Sequence, residues 1–153
     1  MAANVTVIPP TVQFYTAQPL STTAVRRVCG YARVSTDNEE QLTSYEAQMD
    51  YYKRFISSHE DWEFVGLYSD EGISGTNIKK RKGFQKMIQD AMNGKIDLIV
   101  TKSISRFARN TVDSISTVRK LKARGVEVFF EKDGLWTFDP AAELTITILS
   151  SIA

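Results

Sequence analysis

The sequence predicts an α/β domain in three layers, with an open, mostly parallel sheet of four or five strands and helices on both faces. Two observations lead to this prediction. Short apolar runs alternate along the chain with segments whose apolar residues recur at helical spacing, and such alternation is typical of parallel sheets covered by helices. The length of 153 residues also fits one domain with a real core.

The strands are predicted from four apolar runs. The first run ends in the stretch Y-A-R-V-S-T-D, where the chain turns. Each of the others is bounded by polar or glycine-containing segments, as a buried strand should be. The predicted strands are residues 28–34, 64–68, 98–100 and 126–130.

The helices are predicted from caps and from apolar spacing. The segment T-S-Y-E at 43–46 has the spacing of a capping box, so a helix should run from there to about residue 58. A second helix should end at Gly94 and a third before Gly125. Asp139 and Pro140 resemble an N-cap and a first-turn proline. The apolar stripes of the first three helices are Tyr45, Met49, Tyr52 and Ile56; Phe84, Met87, Ile88 and Ala91; and Val112, Ile115, Val118 and Leu121.

The last predicted helix is apolar around most of its circumference. Such a helix is either deeply buried or shared with another chain. It reaches Ala153 without a C-cap signal. We therefore expect a fragment of a longer protein whose last helix is an oligomer interface, with a monomer's core helix as the alternative. Its two apolar stripes are Leu144, Ile148 and Ile152, and Ile146, Leu149 and Ala153.

Composition narrows the class of protein. Residues 1–25 look like a poorly ordered extension, and the domain should occupy residues 26–153. A net charge of +1 indicates no global attraction to nucleic acid. The single cysteine, Cys29, lies in a strand pattern and indicates a reducing compartment. No bilayer-spanning run or signal peptide is visible, so a cytoplasmic location is expected.

The chemistry-bearing residues follow the predicted strands. Ser35 and Arg33 come at the end of the first strand, and the carboxyl edge of a parallel sheet is where ligands bind in open α/β folds. One histidine and one cysteine in the whole chain exclude most acyl-transfer arrangements. A cluster of cations is predicted at the same edge: Arg33, Arg81, Lys102, Arg106 and Arg109, with Lys79, Lys80 and Lys82 beside them.

This combination suits attack on a phosphodiester. An arginine fork matches two phosphate oxygens and keeps its charge at working pH, so several arginines around one serine could hold the charge that develops on a phosphoryl group. Each motif alone is weak. An R-x-S after a strand is usually a turn, residues 79–82 could be a solvated loop, Asp70 and Glu71 could cap their loop, and Gln48 lies on the polar side of its helix.

Taken together, the motifs are much more specific. Y-A-R-V-S-T-D, D-E-G-I-S-G with R-K-G-F, K-S-I-S-R-F-A-R-N, G-V-E-V-F-F-E and T-F-D-P-A-A-E-L follow one another in this order. Over residues 26–153 the chain resembles the catalytic domain of the serine recombinases, the resolvase/invertase superfamily. It looks most like the large serine recombinases of conjugative transposons and phages.

The resemblance implies a mechanism and site residues. Ser35 would attack the scissile phosphate of double-stranded DNA, leaving a 3′-hydroxyl and a 5′-phosphoserine ester before strand exchange and religation. The family uses neither metal nor ATP, so no cofactor is expected. The resemblance also implies no membrane partner and no small-molecule substrate. The protein partner would be a second copy of the chain, in a homodimer or homotetramer formed through the last helix. The matching positions are Arg33, Gln48, Arg81, Arg106 and Arg109, with supporting positions at Asp70 and Lys102.

One position departs from the pattern. Many resolvases carry an aspartate immediately before the first arginine of the R-x-x-R motif, where this chain has Ser105. Ser105 could substitute by hydrogen bonding, or an arginine or water could protonate the leaving group. Two other functions stay open: a metal-dependent nuclease using Asp70, Glu71 and Asp97, and a non-catalytic, DNA-associated regulatory domain of the same fold. The sequence does not specify the target DNA, the direction of recombination or the host element.

Overall fold

The fold is built on one five-stranded sheet. The computed structural model describes residues 24–34, 44–71, 81–107 and 110–152. Its strand order is β2-β1-β3-β4-β5. The first four strands run parallel to their neighbours, and the short β5 is antiparallel to β4. This confirms the mostly parallel sheet. The strands are β1 Arg26–Val34, β2 Trp62–Glu71, β3 Leu98–Thr101, β4 Glu127–Phe130 and β5 Leu135–Trp136.

Helices separate the parallel strands as predicted. An additional single turn follows β3. The first helix is capped by Ser44, whose hydroxyl accepts from the backbone N–H of Ala47 at 3.2 Å. The capping-box prediction therefore placed the cap one residue too early. The helices are α1 Tyr45–Ser57, α2 Lys82–Met92, α3 Ile104–Phe107, α4 Thr111–Ala123 and α5 Ala142–Ile152.

The sheet has an apolar core on each face. Along β1, Cys29 and Tyr31 belong to one core and Val28 and Ala32 to the other, as the alternation of side chains along a strand requires. The first core includes buried residues of α2, α4 and α5, and the second includes those of α1. The three-layer prediction is thus confirmed. The placement of Cys29 in the core is confirmed too, and burial raises the pKa of its thiol.

The parallel strands bring their carboxyl ends to one edge. Arg33 of β1 stands opposite Asp70 of β2. Thr101 of β3 stands opposite Phe130 of β4. Beyond the strands, the backbone N–H of Glu131 still donates to the carbonyl of Thr101 at 3.0 Å. Residues that follow different strands in sequence are therefore neighbours in space.

The last helix begins later than the sequence indicates. Asp139 accepts from the backbone N–H of Ala141 with its carboxylate, at 2.9 Å, and from that of Ala142 with its carbonyl, also at 2.9 Å. Both contacts form a turn that includes Pro140 and precedes α5, which starts at Ala142. The prediction of a helix capped by Asp139 and beginning at Pro140 therefore placed the start two residues too early.

The two apolar stripes of α5 have different surroundings. Ile146 is fully buried and Leu149 packs against the same core. Leu144, Ile148 and Ile152 are 66%, 50% and 76% exposed. The helix is therefore a core helix on one side and carries an apolar surface on the other.

Four further expectations concern apolar exposure, the N-terminal extension and membrane-spanning segments. Val112 was placed in the stripe of α4, but it is 75% exposed. Tyr45, placed in the stripe of α1, is 45% exposed. The extension predicted for residues 1–25 lies almost wholly outside the described residues. Within the described ranges, no helix combines the length and apolar character needed to cross a membrane.

Candidate functional site

Most of the predicted site residues with described positions lie at the carboxyl edge of the sheet. Arg33 is the penultimate residue of β1 and is half-buried. Gln48 lies on α1 and is half-buried rather than on the surface. Ser35 and Arg109 lie outside the described residues. The other predicted residues at this edge are Asp70 at the end of β2, Lys102 after β3, and Ser105 and Arg106 in α3.

Among the cations of this group that the structure describes, Arg81 makes the most hydrogen bonds. Its Nη2 donates to the backbone carbonyls of Arg106 and Phe107, each at 2.9 Å. The same guanidinium reaches the Tyr31 hydroxyl at 3.2 Å from Nη2 and 3.4 Å from Nε. It also lies over the Phe84 ring, 4.0 Å from the ring centroid, a distance suited to a cation–π contact. Arg81 therefore holds the α3 segment that carries Arg106.

Asp70 fixes the start of helix α2. Its Oδ1 accepts from the backbone N–H of Gly83 at 2.8 Å, and its Oδ2 from that of Phe84 at 2.9 Å. A carboxylate on the first backbone N–H groups of a helix satisfies orphan donors and complements the helix dipole. Asp70, at the end of β2, thus caps helix α2 in place of a side chain from the N-cap position of that helix. The sequence alternative had Asp70 capping its own loop, whereas in the structure it caps the start of the following helix.

Tyr31 joins Asp70 to Arg81. Its hydroxyl donates to Oδ2 of Asp70 at 2.8 Å and accepts from the Arg81 guanidinium. Burial raises the pKa of Tyr31 to about 12, although the Arg81 guanidinium acts in the opposite direction. Sequence reasoning missed Tyr31. A usable signal was present, since a tyrosine in the middle of a buried strand needs a partner for its hydroxyl.

Glu131 is a second residue without a predicted role. It follows β4, and its Oε2 accepts a hydrogen bond from the Tyr51 hydroxyl of α1. The pKa of Tyr51 is raised to about 12. The hydrogen bond to Glu131 is the largest cause of this rise, and burial is the second. Nothing in the sequence indicates that Glu131 reaches helix α1.

Ser105 lies beside another hydroxyl rather than a carboxylate. Its Oγ is 3.0 Å from Oγ of Ser103, and its side chain is exposed. The backbone N–H of Arg106 donates to the Ser103 carbonyl at 3.1 Å, which closes the turn. Ser105 can therefore exchange a hydrogen bond in this turn, but it supplies no charge.

The carboxylates of the nuclease alternative do not form one site. Asp97 precedes β3 and binds Arg27 with both carboxylate oxygens, at 3.0 and 3.1 Å. Arg27 lowers the pKa of Asp97. Asp70 lies at the opposite edge, bonded to Tyr31 and α2. Nowhere in the described part of the chain do three or more histidine, cysteine, aspartate or glutamate residues stand where they could hold a metal ion.

The fold and this edge of the sheet together define a class of protein. It is an α/β domain with fixed cations gathered at the carboxyl ends of parallel strands, an arrangement suited to a phosphate group. The family described as "Resolvase, N terminal domain" matches residues 28–153. The chain belongs to this family.

Two curated relatives illustrate the similarity. The Transposon Tn3 resolvase of Escherichia coli is 28% identical over 127 residues, which cover 83% of this chain and 62% of that protein. The R46 site-specific recombinase of Escherichia coli is 30% identical over 127 residues, covering 83% of this chain and 60% of that protein. The chain therefore spans less than two thirds of the length of these relatives.

Solved structures share the fold. A resolvase family site-specific recombinase from Streptococcus pneumoniae is 35% identical with a TM-score of 0.63, covering 83% of this chain and 85% of that one. The N-terminal catalytic domain of TP901-1 integrase is 27% identical with a TM-score of 0.65, covering 83% and 93%. Both support the assignment of the described elements to a serine recombinase catalytic domain.

Proposed function

We propose that the chain is the catalytic domain of a serine-type site-specific DNA recombinase. The observation that carries this proposal is the Arg81 guanidinium, which holds the α3 segment with Arg106 at the edge where β1 delivers Arg33. Ser35 follows two residues after Arg33 in sequence. A phosphate bound at this edge would lie between fixed cations and the start of the segment that carries the serine.

The proposed reaction exchanges one phosphate ester for another. The Ser35 hydroxyl loses its proton as its oxygen bonds to the scissile phosphorus. The bond between phosphorus and the 3′ oxygen breaks, and that oxygen takes a proton to become a 3′-hydroxyl. The 5′-phosphate stays on the serine as an ester, so its energy is kept for the reverse step that reseals the strands.

The arginines would supply the electrostatic part of catalysis. Negative charge grows on the phosphoryl oxygens in the transition state, and fixed donors there stabilise it more than the ground state. Arg33 and Arg106, and Arg109 by the family match, are proposed as these donors. Arg81 acts mainly by holding Arg106, because its guanidinium donates to protein carbonyls and to Tyr31.

The proposal extends to partners and to a biological setting. Duplex DNA is the proposed substrate, and a homodimer or homotetramer would form through the exposed apolar face of α5, Leu144, Ile148 and Ile152. Relatives named as a transposon resolvase and an integrase support a role in moving a genetic element. The proposal needs no metal or nucleotide cofactor.

The decisive experiment traps the protein–DNA ester. The full-length protein, expressed from the complete reading frame that encodes this chain, is purified. It is then incubated with nicked DNA duplexes whose sequences are taken from the DNA that flanks this reading frame on either side. We expect a covalent adduct in the parent and none in Ser35→Ala. Ser116→Ala, an exposed serine of α4, is the matched control and should still form it.

Two results would count against the proposal. An adduct that survives Ser35→Ala would remove the serine from its role. Failure of the parent protein to cleave any of the duplexes would favour the regulatory-domain alternative.

A further inference from the structure

Helix α1 covers only part of its face of the sheet. It packs mainly over β1 and β2, whereas β4 and β5 lie at the other side of the sheet. Among the described helices, α1 alone contributes buried residues to the core of this face, Tyr52 and Ile56. The side chains that β4 and β5 add to this face, Phe129 and Trp136, are therefore only half-buried.

Four half-buried aromatic rings form a continuous surface there, which we call the aromatic patch: Phe55, Trp62, Phe129 and Trp136. Phe129 stacks on Trp136 with the ring centroids 4.1 Å apart, and the Trp62 ring lies 6.2 Å from that of Trp136. Phe55 completes the patch, 6.1 Å from Trp62 and 6.4 Å from Phe129. A contiguous apolar surface of this kind commonly marks a contact site.

The chain enters the domain beside this patch. Residues 1–23 lie outside the described ranges, and β1 follows them. The backbone N–H of Arg26 donates to the carbonyl of Asp61 at 2.8 Å, and Arg26 stands opposite Trp62 in the pairing of β1 with β2. The segment before β1 therefore joins the sheet about one strand spacing, roughly 5 Å, from the backbone of a patch residue.

The segment before β1 has a composition suited to binding an apolar surface. It carries no charged side chain in residues 1–25, and residues 5–12 read V-T-V-I-P-P-T-V. Segments that stay in solvent are usually rich in charge and poor in β-branched residues. Consecutive prolines favour the extended polyproline conformation, which costs little entropy to order and binds in grooves lined by aromatic rings. The patch and the segment are therefore complementary in chemistry.

We propose that residues 8–12, I-P-P-T-V, bind to the aromatic patch of the same chain, with the two prolines packed on the indole rings of Trp62 and Trp136. The stretch that links them to Ala24 can extend over about 40 Å, which is more than enough to reach every ring of the patch. Tethering gives the segment an effective concentration in the millimolar range, so even a weak contact is populated. This docking is independent of the proposed recombinase function.

The first test changes the segment and measures the patch. Trp62 and Trp136 are the two tryptophans of the chain, so its intrinsic fluorescence and its indole Nε1–H resonances arise from the patch. A carboxylate loses much on transfer to an apolar surface, so Pro10→Asp should release the segment. We expect the emission to move to longer wavelength, acrylamide quenching to increase and both indole resonances to shift. Pro19→Asp adds the same charge outside the proposed contact and, as the matched control, should change none of the three.

The second test changes the patch and measures the segment. Chymotrypsin cleaves after aromatic residues, and Phe14 and Tyr15 follow the proposed contact directly. Cleavage of a docked segment depends on how often it is released, so Trp136→Ser should be cut there severalfold faster than the parent. Tyr45→Ser, at an exposed ring of α1 outside the patch, should be cut at the parental rate. Pro10→Asp leaves the domain itself unaltered, so the first test still decides if Trp136→Ser does not fold.

Three outcomes would overturn the docking. Indole resonances that do not move in Pro10→Asp, or that move equally in Pro10→Asp and Pro19→Asp, would leave residues 1–25 as the poorly ordered extension that the sequence predicts. A difference between the parent and Pro10→Asp that disappears on dilution would assign the contact to a second copy instead. None of these outcomes affects the proposed adduct of Ser35 with DNA.

Discussion

Arg81 shows how the meaning of one residue depends on its contacts. By family resemblance it is one of several active-site arginines. In the structure its fork is bonded to two backbone carbonyls and to Tyr31, which in turn is bonded to Asp70. A planar guanidinium can make such a set of contacts at fixed angles, whereas a lysine cannot. Arg81 therefore connects α3 to Tyr31 of β1 and, through Tyr31, to Asp70 of β2.

The most restrictive position of the site is Gly83, which follows Arg81 by two residues. A Cβ at Gly83 would stand 2.1 Å from the backbone carbonyl oxygen of Ser69, so the α2 terminus could not approach β2. We expect Gly83→Ala to lower the free energy of unfolding by about 2 kcal/mol or more. Gly94→Ala meets open space but keeps a φ of +79°, so it should cost about 1 kcal/mol.

Urea unfolding of both variants measures the two losses. We also expect Gly83→Ala to weaken the proposed DNA cleavage, because Asp70 accepts from the Gly83 N–H. Equal losses of stability in the two variants would show that the close approach to Ser69 is readily relieved.

Asp97 gives the protein a predictable response to acid. Arg27 lowers its pKa in the folded state, so the pair stabilises the protein above the unfolded-state pKa of roughly 4. This contribution is lost as the pH falls through the lower folded pKa. Side chains that are 41% and 35% exposed indicate a contribution below about 1 kcal/mol, further reduced by salt.

Asp97→Asn should therefore be less stable than the parent at pH 7 and nearly equal to it at pH 2. Thermal unfolding across that range measures the difference. Asp50→Asn, at an exposed position of α1, should leave the profile unchanged. A gap between Asp97→Asn and the parent that widens toward low pH would contradict the sign of the shift.

The two faces of helix α5 differ in burial, because one packs in the core and the other is exposed. Ile146 is fully buried in the core shared with α4, while Ile148, two residues later, is half exposed. Arg119 of α4 also holds Glu143 of α5 through two hydrogen bonds of 2.6 and 2.9 Å. Packing and this ion pair both keep α5 in place without using its outer face.

Truncation to alanine should therefore affect the stability of the protein strongly at Ile146 and very little at Ile148. Ile146→Ala should lower the free energy of unfolding by about 2–5 kcal/mol, the usual range for a buried isoleucine. Ile148→Ala should change it by less than about 0.5 kcal/mol. Chemical denaturation of both variants under conditions where the chain is monomeric measures the difference, and a large loss in Ile148→Ala would contradict the assignment of faces.

The whole molecule has an exposed apolar surface that a monomer does not need. Leu144, Ile148 and Ile152 form a stripe along the outer side of α5, and exposed apolar patches commonly mark association sites. A second copy of the chain is the proposed occupant. The same stripe on two copies could pair about a two-fold axis.

Replacing part of this surface with charge should reduce self-association. We expect Ile148→Asp to shift the sedimentation coefficient of the complete protein toward the monomer value, with little change in melting temperature. Val112→Asp, at an even more exposed apolar residue of α4, should not shift it. An unchanged association state in Ile148→Asp would exclude this face as the contact.

Much of the architecture could be predicted from local pattern. The apolar runs located β1 to β4, because buried strands of a parallel sheet are nearly continuous in apolar residues. The stripe that includes Met87 and Ala91 located α2, with Gly94 just beyond its end. The ends were less accurate, as at α5, because a proline and a capping aspartate can form a turn before a helix as well as begin one.

The candidate site could be predicted only in part. Residues such as Arg33 and Arg106 follow strands, and the parallel topology alone brings strand ends together. Tyr31 and Glu131 were missed because their roles depend on partners 39 and 80 residues away in sequence. Such contacts leave no local spacing that a pattern could detect.

The sequence by itself determined the fold class, the edge at which the cations gather and, through its ordered motifs, the family. These features depend on periodicity and on residue order, which are local properties of the chain. Only the tertiary structure decided which face of α5 packs in the core. It also decided that Arg81 binds the backbone carbonyls of α3 and that Asp70 caps α2. Those assignments depend on which distant groups become neighbours when two apolar layers close on the sheet, and burial then determines the hydrogen-bond partners that each polar group can find.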